Sequence, residues 1–344
     1  MKPTGCGRRA WPARSASPGT GGSPPWCSWR SCGATHSPTV CRSRHRSGKG
    51  GFVFRIRARA GRRAPGVSSI WEPVHLGVDE RGQVVRIGLA ERNLLAAGEP
   101  GAGKSVALNL IVAHAALSLD CDLVLIDGKR VELGVWRACA RAFIGPSITE
   151  AIELLKRLQA LMDSRYDDLL ATGRRKVTRS SGVHVVLVVF DELAYFSATI
   201  GESKQQKEFV ALVRDLVARG RAAGIIVVAA TQRPSADIVP TSLRDLFGYR
   251  WAFRCTTDAS SDVILGHGWA SEGYTAADID PGARGVGWLI AEGGVPRRMK
   301  AAYLSDDAAA RLAEHAARLR AEHGAAQDID AAAVTGDLDE SGLA

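Results

Sequence analysis

Gly98-Glu-Pro-Gly-Ala-Gly103-Lys104-Ser105 is the stretch on which the fold turns. Its spacing, Gly-x4-Gly-Lys-Ser, is that of a phosphate-binding loop. Glycines let backbone N–H groups turn inward around phosphate oxygens, and Lys104 brings a point charge to the β- and γ-phosphates. The Ser105 hydroxyl is of the kind that ligates Mg²⁺. Leu94-Leu-Ala-Ala97 is a short apolar run of buried-strand type, and residues 106–119 carry apolar side chains at helical spacing. The loop therefore joins a strand to a helix whose N-terminus faces an anion. Expected contacts to ATP are Gly98, Glu99, Pro100, Gly101, Ala102, Gly103, Lys104, Ser105 and Val106.

Three further apolar runs end in polar residues. Val185-Val-Leu-Val-Val-Phe190-Asp191-Glu192 reads as a strand buried on both faces whose carboxyl end opens at the nucleotide. Asp191 is expected to hold Mg²⁺ together with Ser105, and Glu192 to polarise the attacking water as general base. Acids at strand ends are often only helix caps, and it is the phosphate loop upstream that favours the metal reading. Gly224-Ile-Ile-Val-Val-Ala-Ala230 ends in Thr231-Gln-Arg-Pro-Ser235, which places Gln232 to sense the γ-phosphate or, alternatively, within a plain polar turn. Asp122-Leu-Val-Leu-Ile-Asp127-Gly-Lys129 is another strand with a charged exit. Strands alternating with helices predict an α/β fold, a mostly parallel central sheet flanked by helices.

These motifs carry a resemblance. The phosphate loop, Asp127-Gly-Lys129 with Val131-Glu-Leu133, Phe190-Asp-Glu-Leu193, Gly220-Arg-Ala-Ala-Gly224 and Ala230-Thr-Gln-Arg-Pro-Ser235 follow one another in that order. With Arg250-Trp-Ala-Phe-Arg254 and Ile264-Leu265 they resemble the motor domain of the FtsK/SpoIIIE DNA translocase family over residues 73–304. The resemblance implies a RecA-like P-loop NTPase that assembles into a ring, a hexamer, and pulls double-stranded DNA through its pore by hydrolysing ATP. The short format is similar to actinobacterial conjugative or mobile-element transfer motors. Two readings compete with it: a protein-secretion ATPase of the same fold family, and a DNA-binding adaptor whose nucleotide site is only structural. Two departures stand out. Ser260-Ser261-Asp262 stands where the family has Asp-Ser-Arg, and Glu99 puts a carboxylate inside the phosphate loop, where it must point outward to avoid repelling phosphate.

Charge is divided unevenly along the chain. Of 344 residues with formal net charge +9, residues 1–71 hold 14 of the 45 Lys/Arg and no acid, leaving 31 basic against 36 acidic residues in the rest. The arm over residues 1–71 is rich in Arg, Ser, Gly and Pro without apolar periodicity, which predicts disorder. It either binds phosphates nonspecifically or has no function. Cys6, Cys27, Cys32 and Cys41 within it match no zinc spacing, and Cys121, Cys139 and Cys255 read as small buried hydrophobes of a reducing cytosol. No apolar run is long enough to span a membrane, so a cytoplasmic protein is expected, with any membrane or transfer-machinery association coming through a partner.

The remaining elements are mostly packing. Ser147-Ile-Thr-Glu150 opens a helix that runs to about Ala171. The basic loop Arg174-Arg-Lys-Val-Thr-Arg179 is either a solvated surface or a DNA contact. A helix over residues 209–219 leads to Arg221, which is either internally salt-bridged or reaches a nucleotide. The ATPase domain is placed at residues 72–304. An Ala-rich helix and acidic tail follow over 305–344, too small for a sequence-reading module, so DNA binding by backbone charge is expected.

Overall fold

The structure, a computed structural model, describes residues 68–291 and 293–323. Residues 1–67 of the expected arm over 1–71, and residues 324–344 of the expected helix and tail over 305–344, lie outside the described residues. The elements run β1 (Val74–Asp79), β2 (Val84–Ile87), β3 (Leu94–Ala97), α1 (Lys104–Ala116), β4 (Cys121–Ile126), β5 (Ala142–Ile144), α2 (Ile148–Ala171) and β6 (Val185–Phe190). Then follow α3 (Ser203–Arg219), β7 (Ile225–Thr231), α4 (Thr241–Arg244), β8 (Tyr249–Phe253), α5 (Asp258–Leu265), β9 (Val286–Ala291), β10 (Arg297–Ala301) and α6 (Asp306–Glu322).

One ten-stranded sheet has the order β2-β1-β10-β9-β8-β3-β7-β6-β4-β5. From β8 to β5 every neighbour is parallel, and from β8 back to β2 every neighbour is antiparallel. The parallel half matches the expected α/β sheet, and its strands read as unbroken apolar runs because both faces are covered. In β6, Val185, Leu187 and Val189 enter one core while Val186, Val188 and Phe190 enter the other. The first core packs α1 and α6 on one face, and the second packs α2, α3 and α5 on the opposite face.

Helix starts follow their caps. Ser147 Oγ accepts from Glu150 N–H at 3.3 Å, as expected for α2. α3 starts six residues earlier than residue 209, behind a reciprocal Glu202–Gln205 cap. Its first turn is polar, which hid it from a periodicity reading. The core also reaches beyond both expected boundaries. Ile70 is fully buried and its N–H donates to Asp120 Oδ1, so packing begins upstream of residue 72.

α6 belongs to the ATPase core, with Ala309, Ala313 and Ala316 buried against α1. From α6, Arg320 is 1% exposed; its Nε donates to Ala116 O, and its Nη2 lies 2.8–2.9 Å from the carbonyls of Ala115, Ser118 and Cys121. This cation closes the carbonyl end of α1. Cys121, Cys139 and Cys255 are free and buried, and burial raises their thiols to about 12, 11 and 12. Among the described residues no helix is long and apolar enough to cross a membrane.

Candidate nucleotide site

Parallel strands end at one edge of the sheet, so the exits of β3, β4, β6 and β7 bring Gly98, Asp127, Asp191 and Gln232 together. Gly98 N–H donates to Thr231 O at 3.2 Å, and a Cβ at Gly98 would lie 2.7 Å from Phe253 Cβ. Gly103, at φ 102°, sits where a Cβ would be 2.5 Å from Gly285 N. Gly285 N–H in turn donates to Ala102 O at 2.8 Å, which clamps the loop from the antiparallel side. Glu99 does turn its carboxylate aside: Arg254 Nη1 lies 2.5 Å from Oε2, and Thr256 donates to Oε1.

Lys104 is 3% exposed and its Nζ donates to Asp191 O at 3.2 Å. Burial pulls its ammonium below the ordinary lysine range, while the carboxylates of Asp191 and Glu192 oppose that shift. Asp191 has no exposed surface, and neither carboxylate oxygen has a hydrogen-bond partner among the described residues. Burial pushes it up to about 6; Lys104 opposes the rise, and Glu132 and Asp127 add to it. A buried carboxylate with two free oxygens next to a lysine is costly as it stands, and a divalent cation satisfies it. With the Ser105 hydroxyl at the start of α1, the donor set fits Mg²⁺.

Glu192 is positioned differently. Its Oε1 accepts from Thr231 Oγ1 at 2.7 Å and from Ala194 N–H at 3.2 Å, and its Oε2 from Gln232 N–H at 2.8 Å. The Thr231-Gln232 pair therefore holds the carboxylate and leaves Oε2 a lone pair. Asp127, by contrast, spends its oxygens on the N–H groups of Lys129, Arg130 and Leu133, shaping the turn after β4.

A cavity of about 510 Å³ is lined by Glu99, Pro100, Gly101, Gly103, Lys104, Ser105, Val106 and Gln232, whereas Gly98, Ala102, Asp191 and Glu192 are not among its lining residues. The rest of its lining is Arg284, Gly285 and residues 300–304 with Asp306. Sequence reasoning missed these, because strands β9 and β10 and their turns carry no recognisable spacing. Glu132, close enough to raise both Lys104 and Asp191, was visible only as part of the Val131-Glu-Leu133 motif.

Arg221 is not brought to this site. It precedes β7 while Gln232 follows it, and seven residues at roughly 3.3 Å each put about 20 Å between the two ends. It is exposed, and among the described residues no ion pair of Arg221 is found. The basic loop lies at the same far edge, tied to the Arg221 turn by Val177 N–H donating to Ala222 O. Lys176 there pairs with Glu91, while Arg174, Arg175 and Arg179 are exposed. Asp262, the reversed charge, accepts from Gly268 N–H and Ala270 N–H and so organises the turn after α5.

Residues 67–185 match the FtsK/SpoIIIE family model. The DNA translocase FtsK of Streptomyces avermitilis is 32% identical over 274 residues, 70% of this chain and 28% of that relative. The chain spans under a third of the length of the curated relatives it matches. Among solved structures, the pCW3 conjugation coupling protein TcpA with ATPγS superposes with TM-score 0.61 at 21% identity, over 74% of this chain and 72% of TcpA. The cytoplasmic domain of the Thermomonospora curvata type VII secretion ATPase EccC gives 0.56 at 20%, over 74% of this chain and 32% of EccC. At such identities the two structures speak to the fold alone. Together with the sequence relatives, the clamped phosphate loop and the acidic strand end make this core a P-loop ATPase domain of the FtsK/SpoIIIE family.

Proposed function

We propose that the chain hydrolyses ATP to move double-stranded DNA, as a cytoplasmic ring-forming motor recruited by a membrane or transfer-machinery partner. The observation that carries the ATPase reading is Asp191, a fully buried carboxylate with both oxygens free beside Lys104. Ser105 and Asp191 would hold Mg²⁺, which supplies charge neutralisation at the β- and γ-phosphates. Loop N–H groups and Lys104 bind and orient the triphosphate. Glu192, steadied by Thr231 and Gln232, accepts the water proton on the free lone pair of Oε2. Gln232 links that carboxylate to the γ-phosphate end of the cavity and acts as sensor.

DNA as the substrate rests on relatives named DNA translocases, and the ring and hexamer rest on family resemblance. Binding is to the duplex backbone without sequence reading. The exposed Arg174, Arg175 and Arg179 supply charge for it. The fold likeness to a secretion ATPase keeps one second reading in view. ATP turnover measured with and without duplex DNA decides. Strong stimulation is expected of the motor, turnover indifferent to DNA points to secretion, and no turnover at all leaves only a nucleotide-binding adaptor.

A further inference from the structure

The phosphate loop accounts for only one wall of the cavity. Phosphates belong at the loop N–H groups and the N-terminus of α1, so the nucleoside of any bound nucleotide must fill the remainder. That remainder is walled by the segment between β10 and α6, and within it stands Tyr303, the one aromatic residue of the lining. Tyr303 is 81% exposed and makes no ring contact among the described residues. A lone exposed aromatic on a surface needs no explanation. This one lines a cavity of ligand size that the phosphate loop lines as well.

Its backbone is also fixed at both ends. On one side Ala302 N–H donates to Leu76 O at 2.8 Å, docking the segment on β1. On the other, Ser305 Oγ accepts from Ala308 N–H at 3.3 Å and caps α6. The approach of β10 to β1 is close, for a Cβ at Gly77 would lie 2.0 Å from Lys300 O. Tyr303 therefore projects from a short strut held on both sides. Holding the backbone in place lowers the ordering cost of a stacking contact.

We infer that Tyr303 is the base-stacking residue of the nucleotide site, receiving the purine of a nucleoside triphosphate whose phosphates lie on the loop. Asp306, three residues on and lining the same cavity, stands ready to accept a hydrogen bond from the nucleoside. The inference rests on the proposed ATP site and adds the element that recognises the nucleoside. Stacking on an aromatic is worth about 1–3 kcal/mol per base by alanine substitution, or roughly 5- to 150-fold in affinity.

Calorimetric titration of the full chain with Mg²⁺ and two probes, ATPγS and inorganic tripolyphosphate, tests it. Tyr303→Ala should weaken ATPγS at least 5-fold and leave tripolyphosphate within 2-fold, while Tyr303→Trp should restore ATPγS. Unchanged ATPγS affinity in Tyr303→Ala, or an equal loss of both probes, overturns the stacking role. Lys104→Ala should weaken both probes. If Lys104→Ala leaves both intact, it is the phosphate-loop reading that falls, and the stacking site with it.

Discussion

Asp191 is ionised at neutral pH only against its surroundings. Its folded pKa of about 6 stands above the ordinary 3.8, because burial and the carboxylates of Glu132 and Asp127 outweigh Lys104. A raised acid favours the fold when protonated, so that stability is fully present below about pH 4 and lost as pH rises through 6. In metal-free buffer, Asp191→Asn should remove this loss and stabilise the protein at pH 7 by up to about 3 kcal/mol. Denaturant titrations of both proteins at pH 4 and pH 7 check it, the difference appearing only at the higher pH. At the same scale, Lys104→Ala should weaken ATP binding, whereas Glu192→Gln should keep binding and slow turnover at least 100-fold. Nucleotide affinity and kcat separate the two, and full turnover in Glu192→Gln would remove Glu192 from the chemistry.

Among the elements, α6 matters more than an appended helix would. Arg320 joins it to four backbone carbonyls between the end of α1, the helix that begins at the phosphate loop, and the start of β4. Arg320→Met removes the four buried hydrogen bonds of the guanidinium and should cost about 3 kcal/mol by denaturant unfolding. Arg318→Met, two residues away, removes only an exposed pair with Glu314 and should cost under about 0.5 kcal/mol. Equal effects would mean that α6 is held by its alanine face alone.

For the whole molecule, the proposed nucleotide site and Arg221 lie at opposite ends of strand β7. In a ring, Arg221 can serve only a neighbour's site, where an arginine stabilises charge developing on the γ-phosphate. Mixing Arg221→Ala with Glu192→Gln subunits should restore partial ATPase, since some interfaces then combine an intact Glu192 with an intact Arg221. Co-assembled mixtures that stay inactive would return Arg221 to a surface role. Removing residues 1–67, a cut that spares the packed Ile70, should leave DNA-stimulated turnover largely intact. The log–log salt dependence of DNA affinity should flatten by about 0.9 for each DNA phosphate that the arm had neutralised. A truncated core that hydrolyses ATP and ignores DNA would place the DNA site in the arm.

The sequence by itself determined four strands of the parallel half, β3, β4, β6 and β7, and the residues at their exits. Both are local matters: a loop spacing, and apolar runs long enough to be buried on two faces. The tertiary structure alone decided what those residues face. Gly285 clamps Ala102, Thr231 and Gln232 hold Glu192, and Tyr303 lines the same cavity as Lys104. Arg320 reaches α1 from some 200 residues away. Thr231 and Gln232 reach Glu192 because β7 pairs with β6, whereas Gly285 and Tyr303 reach the loop because the antiparallel strands β9 and β10 fold back beyond β8. No spacing along the chain encodes that return, since it is stabilised by sheet pairing and burial summed over distant segments.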